Sequence, residues 1–192
     1  MRLIPSLLLV TAILQIQGCA YNPQQAKLVP SVQSIKSSIG SNTTVALLIA
    51  DERPSRVLGR RADTYGPAAE ISAAQELDDV MRIELAKALR DKGFKVVDAQ
   101  EGADAVLKLE IRHFEYTMSQ GWNFGLHVTG AVKAVALKEG KAYEKLYRSA
   151  VEERVFVVPT AEINEAVINR GLSKLLNELL ADESLFKSLA GH

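Results

Sequence analysis

The chain has 192 residues, 23 Lys+Arg against 23 Asp+Glu, 47% hydrophobic residues and a single cysteine. Balanced charge supplies neither the basic footprint that nucleic acid requires nor an electrostatic hold on a membrane surface. One cysteine leaves no internal disulfide, so the fold must rest on its own apolar core.

Met1-Arg2 gives a positive start, Leu3 to Leu14 is mostly apolar, and Gly18 stands directly before Cys19. A charged start, a short apolar stretch and a small residue before the cut form a secretory signal. The apolar run falls short of the ~20 residues a spanning helix needs. In Ile16-Gln17-Gly18-Cys19 an aliphatic residue lies three before the cysteine and a small one beside it, which fits a lipobox; Gln17 is its less usual member. In bacterial lipoproteins such a cysteine is lipidated on sulfur, the preceding peptide is removed, and the new amine is acylated. The expectation is a signal over 1–18, cleavage between Gly18 and Cys19, and lipidation at Cys19. That covalent lipid is the only non-protein group foreseen; no cofactor or metal is. Ala20 stands where an aspartate signals inner-membrane retention in many enterobacterial lipoproteins, so the expected destination is the periplasmic face of the outer membrane.

Residues 20–43 carry Asn22-Pro23-Gln24-Gln25, Val29-Pro30-Ser31 and Ser37 to Asn42, a punctuated stretch that reads as a flexible tether after Cys19. A flexible segment of this length has a root-mean-square reach of roughly 27 Å. The alternative is that Leu28-Val29, Val32 and Ile35 pack on the domain as an irregular strand. One domain is expected over 44–192.

Thr44 to Ala50 is a continuous apolar run of strand length, ended by Asp51-Glu52-Arg53-Pro54. Arg53 to Glu70 reads as a long loop. Ser72 and Gln75 form a capping box, and the apolar stripe Leu77, Val80, Met81, Leu85, Leu89 predicts a helix closed at Gly93. Phe94 to Val97 is a short strand. Ala105 to Met118 and Trp122 to Leu137 read as a hairpin around Ser119-Gln120-Gly121. In its first strand the apolar phase flips between Ile111 and Phe114. One extra residue near Arg112-His113 restores a single apolar face, so a β-bulge is predicted there. Glu139-Gly140 turns the chain into a third strand, with Tyr143, Tyr147, Val151, Val155 and Val157 facing inward. Pro159-Thr160 caps a second helix with the stripe Ile163, Val167, Leu172, Leu175, Leu179, and Asp182 to Leu189 is a short terminal turn or helix. The fold class is α+β: a two-layer sandwich in which two helices cover one face of a mainly antiparallel sheet.

Taken together, the chain resembles the YajG family of bacterial lipoproteins. The resemblance is carried by Gly18-Cys19, Ala50-Asp51-Glu52-Arg53, the helix ending in Lys92-Gly93-Phe94, Ser119-Gln120-Gly121 and the acidic, Asn-rich helix start Ala161 to Asn169. It implies an outer-membrane lipoprotein of a Gram-negative bacterium with no established activity.

Candidate surfaces are few. Asp51, Glu52 and Arg53 form a charged cluster at the end of an interior strand, a place where open α/β sheets bind ligands; strand termination with a salt bridge to the long loop is the preferred reading, with a ligand or partner surface as the alternative. His127 should face Glu152 across the wet side of the sheet, which reads as an exposed ion pair rather than an acid–base dyad. Phe114, Tyr116, Met118, Trp122 and Phe124 continue the apolar face and are read as core, with an aromatic binding patch as the alternative. No nucleophile elbow or phosphate loop occurs. Two functions follow: a tethered, non-catalytic module binding an envelope protein complex or peptidoglycan, or an envelope hydrolase whose site the sequence does not display. Oligomeric state is left open.

Overall fold

The computed structural model describes residues 23–61 and 68–192; the signal, its cleavage point and Cys19 lie outside the described residues. The elements are β1 (Gln24–Ala26), β2 (Thr44–Asp51), β3 (Val57–Arg60), β4 (Glu70–Ala73), α1 (Leu77–Asp91), β5 (Lys95–Val97), β6 (Ala105–Gln120), β7 (Phe124–Lys138), β8 (Lys141–Val155), α2 (Ala161–Leu180) and α3 (Glu183–Ala190).

The α+β class holds, but the mainly antiparallel two-layer sheet does not. The eight strands form one curled, mixed sheet in the order β1-β4-β3-β6-β2-β5, with β7 on β6 and β8 on β7. The β6–β7 and β7–β8 pairings are antiparallel, whereas β2 is parallel to both β5 and β6. The cause is connectivity. Helix α1 carries the chain from one side of the sheet back to the other, and a crossover of that kind brings strands together in parallel. Strands β2 and β3 also lie in line along one edge of β6: β2 runs beside residues 105–111 and Gly59 of β3 pairs with Tyr116.

The predicted bulge is present. The β6–β7 register shifts between Ile111 and His113, leaving Arg112 as the extra residue. Leu109, Ile111, Phe114 and Tyr116 are consequently all buried. The hairpin turn falls two residues later than expected, at 121–123, with Gln120 opposite Phe124. A shift of two preserves the side-chain period, so Leu126, Val128, Val132 and Ala134 keep the inward face, whereas Trp122, now in the turn, and Val157, beyond the end of β8, are exposed. Leu77, Met81 and Leu85 of α1 join Val167, Leu175 and Leu179 of α2 in one core.

Three local expectations fail. The 53–70 loop contains β3 and the start of β4. The capping box is not used. Ser72 belongs to β4, the Gln75 side chain accepts from Leu28 N at 2.9 Å, and α1 starts at Leu77 with no side-chain cap. Pairing of β4 with both β1 and β3 claims those residues first.

The third is the tether. Residues 24–26 pair with β4, Leu28 is buried, and the backbone from 27 to 33 runs along helix α2. The odd amides donate in turn: Lys27 to Glu165 Oε2 (2.8 Å), Val29 to Asn169 Oδ1 (2.6 Å), Ser31 to Ser173 Oγ (2.8 Å) and Gln33 to Asn177 Oδ1 (2.8 Å). Asn169 and Asn177 also donate back, to the carbonyls of Lys27 (2.8 Å) and Ser31 (3.1 Å). The spacing explains the fit. Four helical residues advance about 6.0 Å and two extended residues about 6.6 Å. Each asparagine amide thus acts as a peptide group of a neighbouring strand, and α2 serves as a sheet edge for this strap.

Candidate functional site

The Asp51-Glu52-Arg53 cluster sits at the joint between the collinear β2 and β3, against the β6 bulge. Arg53 grips Asp51 through Nε (2.9 Å to Oδ1) and Nη2 (2.7 Å to Oδ2), and also donates to the carbonyl of Phe114 at 3.3 Å. The Asp51 side chain is 0% exposed and that of Arg53 5%. Burial pushes the Asp51 carboxyl up, but the hydrogen bonds and charge of Arg53, with Arg56 behind it, prevail and hold it below the usual carboxylate value. Beside it, the bulge residue Arg112 pairs with Glu52 at 2.6 Å and with Glu110, which also takes Lys108 Nζ at 2.7 Å. The Lys108 hydrogen bond chiefly keeps Glu110 ionised. These charges satisfy one another. Their arrangement closes the gap where β2 leaves β6 and β3 takes its place.

His127 and Glu152 do face each other in the β7–β8 register, as expected. Glu152 Oε1, however, accepts from Arg154 Nε at 3.2 Å. Asp51 pairs along β6 with Ile111, whereas His127 lies opposite Thr117. The two candidate groups are therefore about 20 Å apart along β6 and do not converge. Of the aromatics, Phe114 and Tyr116 are core, Met118 and Phe124 are half-buried, and Trp122 is fully exposed. Among the described residues no group of three or more His, Cys, Asp or Glu is placed to share a metal ion.

Two polar clusters escaped the sequence reading. Asp182 Oδ2 accepts from Tyr147 (2.7 Å), Lys145 (2.7 Å) and Tyr143 (2.9 Å), while Oδ1 caps α3 at the amide of Ser184 (3.0 Å). Burial raises this carboxyl, yet the hydrogen bonds from Lys145 and the two tyrosines outweigh it and hold the group far below the ordinary carboxylate range. The cluster pins the α2–α3 corner to β8. Its signal was present: Lys145, an exception in the inward phase of β8, is placed to meet a helix-capping acid.

The second cluster is a buried chain. The Tyr116 hydroxyl donates to Asn164 Oδ1 (2.7 Å), Asn164 Nδ2 donates to Gln24 Oε1 (3.1 Å), and Gln24 Nε2 donates to the carbonyl of Ala161 (2.7 Å). Burial pushes the Tyr116 phenol up to about 12. This chain fixes the start of the strap at the first turn of α2. Around the corner, an open cleft of about 540 Å³ is bordered by Gly59, Arg60, Glu70, Glu115 and Met118; Arg60 and Glu70 pair there at 3.2 Å.

A family model described as "Uncharacterized lipoprotein" matches residues 30–190. No curated protein matches. Among solved structures, protein XCC0632 from Xanthomonas campestris is similar at 16% identity and a TM-score of 0.55, covering 80% of this chain and 91% of its own. Lipoprotein GNA1162 from Neisseria meningitidis aligns at 14% identity and a TM-score of 0.36, covering 73% of this chain and 99% of its own. At these identities the first likeness speaks to fold alone.

Proposed function

The chain belongs to the uncharacterised lipoprotein family whose model spans it, and on that premise we propose that it is a lipid-anchored, non-catalytic binding module on the periplasmic face of the outer membrane. The observation that carries the reading is the outer face of β6, β7 and β8. It is long, exposed and polar, with Glu115, Thr129, Arg148 and Glu152 pointing outward and β7 as the one strand neighbour of β8 among the described residues. Such a face offers a partner both side-chain charge and a strand edge that no other described strand pairs, where Lys174 Nζ reaches the carbonyl of Ala150 at 3.1 Å. The partner class is an envelope protein complex or cell-wall glycan. The strap changes the geometry from the sequence expectation. The domain hangs close beneath the lipid rather than searching at the end of a long tether.

Two measurements test this reading. Intact-mass analysis and membrane fractionation of the native protein and Cys19→Ala read the anchor and the membrane it reaches. A photocrosslinking residue placed at Arg148 in cells should give discrete adducts that weaken in the Cys19→Ala background. A lipid-free native mass, recovery with the inner membrane, or no adduct from any outward position on β7 and β8 overturns the corresponding element of the proposal.

A further inference from the structure

Trp122 is fully exposed, and Phe156, Val157 and Val158 are 84%, 65% and 60% exposed. Single exposed apolar residues are ordinary; three in succession beside an exposed tryptophan are a surface with a purpose. The register brings them together. Phe124 pairs with Val155, so the chain after β8 runs on beside the turn at 121–123 that carries Trp122. The segment is held rather than loose at its far end. Arg61 Nη2 donates to the carbonyl of Pro159 at 3.3 Å, and Thr160 then caps α2.

The strap begins at this same corner. Gln24 is bonded to Ala161 and Asn164, and Ala161 lies three residues after Val158. Residues 20–22 alone separate Cys19 from Pro23, a reach of about 14 Å at full extension. A lipid on Cys19 therefore enters its bilayer next to the exposed apolar corner. We propose that Trp122 and Phe156–Val158 are a membrane-seating surface that rests in the interface of the bilayer holding that lipid. Tryptophan suits such a boundary because its ring is apolar and its N–H remains able to reach water or headgroups. The acyl chains provide retention. The patch adds orientation: strands β6 to β8 rise from the membrane and present their outer face sideways to the periplasm.

The proposal rests on the lipidated Cys19 reading, and the test separates the two. Trp122 is the only tryptophan in the chain, so its fluorescence reports this corner alone. The full native protein is purified from membranes, its intact mass is read, and it is reconstituted into phosphatidylethanolamine–phosphatidylglycerol vesicles with and without brominated acyl chains. The expected result is a lipidated mass, blue-shifted emission, loss of iodide quenching and strong quenching by the brominated lipid. Phe156→Glu with Val158→Glu, both at exposed positions, should restore iodide access while the protein stays vesicle-bound. A lipid-free mass overturns the anchor and the seating with it. A lipidated mass with Trp122 still open to iodide overturns the seating alone. Blue-shifted emission without bromine quenching assigns the patch to a second copy of the chain and also overturns it.

Discussion

Replacing Asn169 by alanine tests whether α2 holds the strap as a sheet edge would. The substitution removes the acceptor for Val29 N and the donor to Lys27 O, at 2.6 and 2.8 Å. Alanine favours a helix, so α2 itself should not weaken. A net hydrogen bond is worth about 0.5–1.5 kcal/mol, so the strap should lose about 1–3 kcal/mol of local opening free energy. At about 1.4 kcal/mol per factor of ten, amide protection there should fall roughly tenfold to hundredfold. Native-state hydrogen exchange reads this directly. In the native protein Lys27, Val29, Ser31 and Gln33 should be protected although no strand pairs with them on that side. In Asn169→Ala, protection should drop at Lys27 and Val29 first, with α1 and β7 unchanged. Unprotected odd amides in the native chain, or unchanged protection at Val29 in the variant, would refute the ladder.

Gly171 faces Val128 so closely that an added Cβ would sit 2.3 Å from Cγ1 and 2.8 Å from Cβ of that buried valine. Gly171→Ala should therefore destabilise by about 1–3 kcal/mol in urea unfolding, despite the helix propensity it gains; a variant as stable as the native chain would show that α2 is not seated this tightly. Asp51→Ala strands the buried Arg53 guanidinium and should cost about 3–5 kcal/mol, most of it recovered by Asp51→Leu with Arg53→Met; equal stability of both variants would mean the joint holds no buried charge. Asp182 has its folded carboxyl value depressed, so its contribution is full above the ordinary value of 3.8 and is lost as pH falls through that value toward the folded one. Thermal melts from neutral to acid pH should show that loss in the native protein and much less of it in Asp182→Asn; parallel curves would remove Asp182 from the acid response.

Much of the fold was legible because it is written in local periods. The step from Ile111 to Phe114 reveals the bulge, since one inserted residue is the smallest change that restores a period of two. Gly93, with φ of +90°, ends α1 where its lack of a Cβ predicts. Even the misplaced hairpin turn left the faces intact, because an error of two conserves parity. Trp122 marks the edge of that logic: parity assigns it to the core, but β7 begins at Phe124 and leaves it in solvent. At the candidate site, the acidic and basic residues at 51–53 were visible in order, yet their role at a joint required the bulge of a strand 60 residues away. The capping box at Ser72 and the loose composition of 20–43 failed for a common reason. Both segments are claimed by partners remote in sequence: β1 and β3 for Ser72, and helix α2, some 140 residues on, for the strap. Side-chain periodicity is a local property and survives in the sequence. A backbone hydrogen bond to a distant side chain leaves no period behind, so only the tertiary structure decides that residues 24–33 are fastened to the domain.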